Sequence, residues 1–422
     1  MISQIIFLFI LSLGVVLFAR QIIRLRKGLA LARPSHRHDQ PSERWSTMLR
    51  VAMGQSKMGT RPLAAFFHLL IYVGFVLINL EVLEILIDGA IGTHRVFAQP
   101  MGPFYPILIN FFELLGAAVL LACIVFLLRR AFGQIGRFKH ADMAGWPRQD
   151  AAIILYTEIV LMLALFVMNA AESVRLEEGG FIISRHLQPL FNGWSESTLH
   201  LTEKAAWWFH FVGILAFLNY LPKSKHFHII LAFPNTWYSN LAARGRIPAM
   251  AAVTTEIKAM LDPSYVPDGS DVPSRFGAKD IQDLHFANLL NAYTCTECGR
   301  CTSECPASQT GKKLSPRKIM MATRDRVEQI LQDSESQQTL LDGWISREEL
   351  WACTTCNACV EVCPLNIDPL DIIQQMRQYL VMEESAAPAS LNTMMTNVEN
   401  NGAPWAYPQA DRGLWMTEST QQ

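Results

Sequence analysis

The sequence predicts an all-α membrane protein: five transmembrane helices followed by a helical, cysteine-rich soluble domain. Three observations predict it. Half of the 422 residues are hydrophobic and only 17% are charged, against about 25% in soluble domains. The apolar residues crowd into the chain before about residue 232. Beyond that point lie eight of the nine cysteines, in two copies of one pattern. A net charge of −1 offers no basic surface for a nucleic acid, and none is expected as a partner.

Five apolar runs, 2–23, 62–87, 103–128, 151–171 and 205–230, are long enough to cross a bilayer, which takes about 20 helical residues. The first has no basic segment before it and no small-residue cleavage site after it, so a retained helix is expected rather than a signal peptide. Lys and Arg set the orientation. Ten fall in 20–61 and five in 129–149, whereas the alternate loops hold only Arg95 and then Arg175, Arg185 and Lys204. The N-terminus is therefore expected outside a cytoplasmic (inner) membrane, with the soluble domain in the cytoplasm.

Residues 1–232 thus form the membrane domain, and 233–285 read as a cytoplasmic connector. The stretch 265–275, with Pro267, Gly269 and Pro273, reads as an exposed loop. Helical spacing over 279–293 leads into the first cysteine motif. Ser315 as cap and Pro316 in the first turn start a helix that runs to residue 332, and 347–351 read as another. No β-hairpin is evident, so the domain at 286–385 is expected to be helical. Residues 386–422 form a polar tail whose Trp405, Tyr407 and Trp415 exceed what a linker needs. A dock for a partner protein is the expectation, beside a disordered tail.

Cys295, Cys298, Cys301 and Cys305 precede Pro306; Cys353, Cys356, Cys359 and Cys363 precede Pro364. Both copies read C-x2-C-x2-C-x3-C-P, the bacterial ferredoxin signature for two [4Fe-4S] clusters, in which the fourth cysteine serves the other cube. One cluster is therefore assigned to Cys295, Cys298, Cys301 and Cys363, and the second to Cys305, Cys353, Cys356 and Cys359. Structural zinc uses two pairs rather than two triplets with trailing Cys-Pro, and disulfides need an oxidising compartment. Lys312, Lys313, Arg317, Arg324 and Arg326 could steer an acidic donor or line a solvated helix face.

Titratable groups inside apolar spans are costly and become functional candidates. Read as one helix, the fifth span puts His210 and His228 five turns apart on one face, with His226 pointing away. His68, near the inner end of the second span, could face His228 at similar depth, and two neutral imidazoles from facing helices make a b-type haem site. Glu81 and His210 lie at similar depth in the outer half and could serve a quinone or protons. A second reading has Glu81, Glu84 and Glu113 pairing to hold helices together.

The run from His210 through Pro222, Ser224 and Lys225 to His228 resembles the five-helix cytochrome b family of nitrate reductase gamma and heterodisulfide reductase membrane subunits. That family carries a second histidine ten residues after His68, where Ile78 stands here. The resemblance therefore implies one inner haem b at His68 and His228 rather than two. The alternative is a bundle that has dropped its haem and kept some histidines. Residues 295–316 and 351–364 resemble the heterodisulfide reductase C-type ferredoxin domain. With Gly74, Phe75 and Glu81 and the segment 224–228, they resemble more closely the bacterial membrane-bound electron-transfer-flavoprotein:menaquinone dehydrogenases. Full-length relatives continue into a Cys-Cys-Gly domain. This chain has no adjacent cysteine pair, so that domain is expected as a separate subunit.

The resemblance implies an oxidoreductase subunit that passes electrons from electron-transfer flavoprotein, through the Cys-Cys-Gly subunit and two [4Fe-4S] clusters, to menaquinone. One alternative runs the wire from quinol to a disulfide or sulfur-metabolism enzyme. Another is a non-catalytic membrane ferredoxin used in assembly.

Overall fold

The computed structural model describes residues 1–35, 37–133, 135–176, 181–266 and 275–418. Most of the loop expected over 265–275 lies outside these. Five helices are long and apolar enough to cross a membrane: α1 (Ile2–Leu29), α2 (Pro62–Ile91), α3 (Tyr105–Ala131), α4 (Trp146–Leu176) and α5 (Glu196–Tyr220). Each packs on the next from α2 to α5, and α1 closes the ring by packing on both α5 and α2. Ile2, Ile5, Phe9 and Leu13 of α1 point outward, as expected of a helix with one face toward lipid.

The fifth apolar run is not one helix, which corrects the register drawn for it. Pro222 deprives the helix of an amide donor and crowds the carbonyl four residues back, so α5 stops at Tyr220. The chain makes a 3₁₀ turn at Leu221–Lys223, becomes extended at Ser224 (φ −110°, ψ 152°), and turns again at Lys225–Phe227. The Ser224 hydroxyl accepts from the His226 amide at 3.1 Å, and α6 then runs His228–Trp237. His210 and His228 do not share a helix face. The expected boundary at residue 232 falls inside α6.

The soluble domain is built on α7 (Phe286–Thr294), α8 (Pro316–Gln332) and α9 (Pro369–Met382). The first starts later than the 279–293 pattern suggests, after a 3₁₀ turn at Ile281–Asp283. Ser315 caps α8 as expected, its hydroxyl accepting from the Lys318 amide, and a short helix forms at Arg347–Trp351. Among the described residues no β-strand forms, only two isolated bridges, one joining Arg33 to His285.

One apolar core joins the two halves: Ile281, Leu289, Ile319 and Ile372 of the soluble domain cluster with Leu25, Ile154, Phe217 and Leu221 at one end of the bundle. Gly28 shows how tight the joint is. A Cβ there would lie 2.9 Å from Val327 and 3.1 Å from the Tyr293 hydroxyl. This end of the bundle is called the domain end below, and the other the distal end. Beyond α9 the tail is more ordered than its polarity suggests, with a helix at Ala389–Asn401. Trp405, Tyr407 and Trp415 are 59%, 66% and 68% exposed.

Candidate functional site

The two cysteine loops share one backbone design. Glu297 and Gly299 flank Cys298 with φ of 53° and 71°; Thr355 and Asn357 flank Cys356 with φ of 57° and 62°. Left-handed residues on either side of the middle cysteine curl the loop, so that successive thiols and amides turn toward one centre. The Thr355 amide lies 3.4 Å from Cys353 Sγ and the Ile367 amide 3.4 Å from Cys363 Sγ, donors suited to thiolate sulfur.

The thiols group across the two motifs. Cys301 interacts electrostatically with Cys295, Cys298 and Cys363, and also with Cys359, whereas Cys359 does so with Cys353, Cys305 and Cys356. Cys295, Cys298, Cys301 and Cys363 line one cavity, together with Cys359 of the second motif and with Arg300 and Arg317. Among the described residues no three His, Cys, Asp or Glu side chains converge on a single-ion site. A quartet spread around a cavity with sulfur-directed amides fits a cube better than one zinc ion. Burial pushes Cys295 up to about 12 and Cys363 up to about 11, with the Cys298 thiol the next cause for Cys363; thiolate ligation therefore couples to proton release.

The first loop is pinned to the bundle. Arg300 donates to the Lys57 carbonyl (3.3 Å) and to Thr60 (3.2 Å), just before α2. Arg317, fully buried, pairs with Asp142 between α3 and α4. Glu297, between Cys295 and Cys298, accepts from Arg324 at 2.8 Å and from Lys225 beyond the end of α5. Burial alone would raise the Glu297 carboxyl, but these two cations hold it below the usual carboxylate range. Among the second loop's cysteines, by contrast, Cys356 is exposed, and Arg377 clamps the loop's start from behind by donating to the carbonyls of Leu350 and Cys353. Three of the five basic residues considered for partner steering are occupied within the molecule: Arg317 with Asp142, Arg324 with Glu297 and Asp325, Arg326 with Asp280. Lys312 and Lys313 are exposed.

At the domain end the His68 and His228 rings stand with centroids 6.4 Å apart. Two imidazoles that shared one metal ion through bonds of about 2 Å would stand roughly 6 Å apart, ring centre to ring centre. Nδ1 of His68 lies 3.1 Å from the Gln55 amide oxygen and Nδ1 of His228 lies 3.0 Å from the Lys225 carbonyl. Donating there fixes each tautomer and leaves Nε2 free to ligate, the usual arrangement behind a metal-bound histidine. The pair therefore fits a haem iron. Burial pushes His226 down to about 3 and also lowers His228, so both are neutral. The helix break brings the His226 ring to 5.7 Å from His228, and His226 Nε2 is buried without a hydrogen-bond partner. Arg300 of the first cysteine loop is within electrostatic reach of His68.

His210 and Glu81 have different partners. His210 Nδ1 contacts the Leu161 carbonyl of α4 at 3.0 Å. Glu81 sits in a distal network around Arg95, at 3.7 Å from its guanidinium, with one carboxylate oxygen lacking a hydrogen bond. The neighbouring acids tie helices to loops. Glu84 accepts from the Phe97 amide (2.9 Å) and Tyr105 (2.8 Å), Glu113 from the Ile183 amide (2.8 Å), and Glu172 from Arg95. Glu81 also lies thirteen residues along α2 from His68, about 20 Å away. Sequence reasoning gave no such role to Lys225, Glu297, Arg300 or Gln55; the partners of Arg300 and the Lys225–Glu297 pair are remote in the chain. The local signals were the position of Glu297 and Arg300 inside a cysteine motif and of Lys225 in the run that ends at His228.

Residues 291–367 match the 4Fe-4S dicluster domain family. The chain is 26% identical, over 99% of its length, to the probable iron-sulfur-binding oxidoreductase FadF of Bacillus subtilis, covering 61% of that protein. It is 25% identical, over 91% of its length, to the EtfAB:quinone oxidoreductase of Syntrophomonas wolfei, covering 55% of it. Over 26% of its length it is 31% identical to one component of the ferredoxin/F(420)H(2)-dependent CoB-CoM heterodisulfide reductase of Methanosarcina acetivorans, covering 60% of that polypeptide. The chain thus spans more than half, but less than two thirds, of the relatives named here. No solved structure matches it. Over nearly its whole length, then, the chain is related in sequence to iron–sulfur oxidoreductases of this kind, and it carries a 4Fe-4S dicluster domain at residues 291–367.

Proposed function

We propose that this protein is the membrane electron-transfer subunit of a quinone-linked oxidoreductase, joining a cytoplasmic partner to menaquinone. The observation that carries the reading is the order of the sites. The quartet Cys305, Cys353, Cys356 and Cys359 includes an exposed cysteine, whereas the loop of Cys295, Cys298 and Cys301 is pinned against the bundle end that carries His68 and His228. When bound, two [4Fe-4S] clusters and a haem b supply one-electron steps between the soluble surface and the membrane. The chain's own residues would present the thiols and, through the Nδ1 contacts of His68 and His228, fix the imidazole tautomers. Quinone chemistry then belongs near the His68/His228 pair, because the Glu81 network lies about 20 Å farther along α2 among residues that cap loops. Likeness to an EtfAB:quinone oxidoreductase supports electron-transfer flavoprotein as donor, through a Cys-Cys-Gly subunit, with the soluble domain in the cytoplasm.

The test is anaerobic. Purified protein is reduced with dithionite, and its cluster signals are followed by electron paramagnetic resonance after a soluble menaquinone analogue is added. Reoxidation by the quinone is expected; reduced clusters indifferent to quinone would remove the proposal. Likeness to a heterodisulfide reductase component favours, as second reading, the same wire run from quinol to a disulfide. Mass spectrometry of proteins co-purified in mild detergent separates the two. Electron-transfer flavoprotein supports the first, and a disulfide-reducing enzyme supports the second.

A further inference from the structure

We propose that Lys225 is a positioning residue that couples the first cluster site to the His68/His228 pair, fixing both from one buried side chain and its backbone. The inference rests on reading Cys295, Cys298, Cys301 and Cys363 as cluster ligands and the two histidines as haem ligands.

Lys225 is only 8% exposed, although it lies at a membrane boundary where a lysine normally reaches for water. Its ammonium instead binds Glu297 and the Pro147 carbonyl (2.6 Å), with Asp150 at 3.7 Å. Glu297 is the residue before Cys298, so the ammonium is tied directly into the loop that presents the first thiols. At its other end, the Lys225 carbonyl oxygen lies 3.0 Å from His228 Nδ1, and its amide donates to Asp150 at 3.2 Å. The extended backbone at Ser224 is what turns the side chain toward the loop and the carbonyl toward the histidine. A lysine serving only as an anchor would need neither contact.

Electrostatics adds a consequence. A reduced cluster carries one more negative charge than an oxidised one, so a fixed cation beside it favours reduction. Glu297 keeps Arg324 when Lys225 is removed, leaving the first site one positive charge poorer. The Cys356 side of the domain is untouched by this change.

The experiment is a redox titration of full-length, detergent-purified protein followed by electron paramagnetic resonance, with optical spectra of the haem. The first cluster's signal is identified as the one lost in Cys363→Ser. Lys225→Met is expected to move that signal to lower potential and alter the low-spin haem signal, leaving the second cluster in place. Lys225→Arg should restore both, and Glu297→Gln should move the first cluster to higher potential. Two clusters shifting together, or a haem and first cluster that do not move, would overturn the proposal. If Lys225→Met loses its iron, Glu297→Gln decides: a first-cluster potential that fails to rise refutes the coupling. Wild-type protein without two [4Fe-4S] signals would instead overturn the cluster reading itself.

Discussion

At the scale of single residues, the ligand sets make the sharpest claims. The electrostatic grouping of thiols runs across motifs, with Cys363 beside Cys298 and Cys305 beside Cys359. Cys363→Ser should therefore remove the cluster held by Cys295, Cys298 and Cys301, and Cys305→Ser the other. Each variant should retain about half the iron, counted chemically and assigned by electron paramagnetic resonance. If each serine instead abolished the cluster of its own motif, the crossed assignment would be wrong. For the histidines, His228→Ala should eliminate b-type absorption bands in the dithionite-reduced spectrum, because its ring faces His68 and its Nδ1 is already committed to a carbonyl. His226→Ala should leave those bands, since the His228 ring already has His68 opposite it.

At the scale of elements, the break after α5 and the loop between α3 and α4 do the positioning. Pro222→Ala removes the cause of the break and lets α5 continue toward Lys225. The expected result is a weakened His68/His228 site, read as haem lost during gel filtration while both cluster signals survive. Asp142 holds the buried Arg317, so Asp142→Asn leaves that guanidinium unpaired and should cost about 3–5 kcal/mol, measured as a lower midpoint in thermal unfolding. The pair also predicts an acid limit. Burial alone would raise the Asp142 carboxyl, but hydrogen bonds from Arg317 and Ser315 hold it below the usual carboxylate range. A depressed folded value means that its stabilisation is complete above the unfolded value of about 3.9 and is lost as pH falls through the folded one. Protection of the α8 amides against hydrogen exchange, corrected for the intrinsic rate, should thus stay flat from pH 7 to about 5 and fall below about 4; a fall near pH 6 would exclude Asp142 as its cause.

For the whole molecule, the decisive feature is a core that runs unbroken from the soluble domain into the bundle end. The sites are therefore ordered by shared packing. Orientation is testable at this scale. Thr310→Cys, on an exposed loop after Cys305, should react with a membrane-impermeant maleimide in inside-out vesicles and not in right-side-out ones. Labelling in the reverse pattern would place the soluble domain outside.

Much of this was legible in the chain because it is written in local patterns. Apolar runs of bilayer length, duplicated cysteine spacing and the Ser315-Pro316 cap each depend on neighbours in sequence. The fifth run misled because helical periodicity continues through Pro222, although the backbone does not. The steering role considered for Arg317, Arg324 and Arg326 gave way because their acids sit at Asp142, Glu297, Asp325 and Asp280, and only folding brings most of these near. The sequence by itself thus determined an all-α chain with five apolar spans and two iron–sulfur loops, since hydrophobic length and thiol spacing are one-dimensional quantities. Only the tertiary structure decided that His68 meets His228 across a broken helix, and that Lys225 reaches Glu297. Those distances depend on where the chain turns, and a buried charge must find its partner wherever packing has placed it.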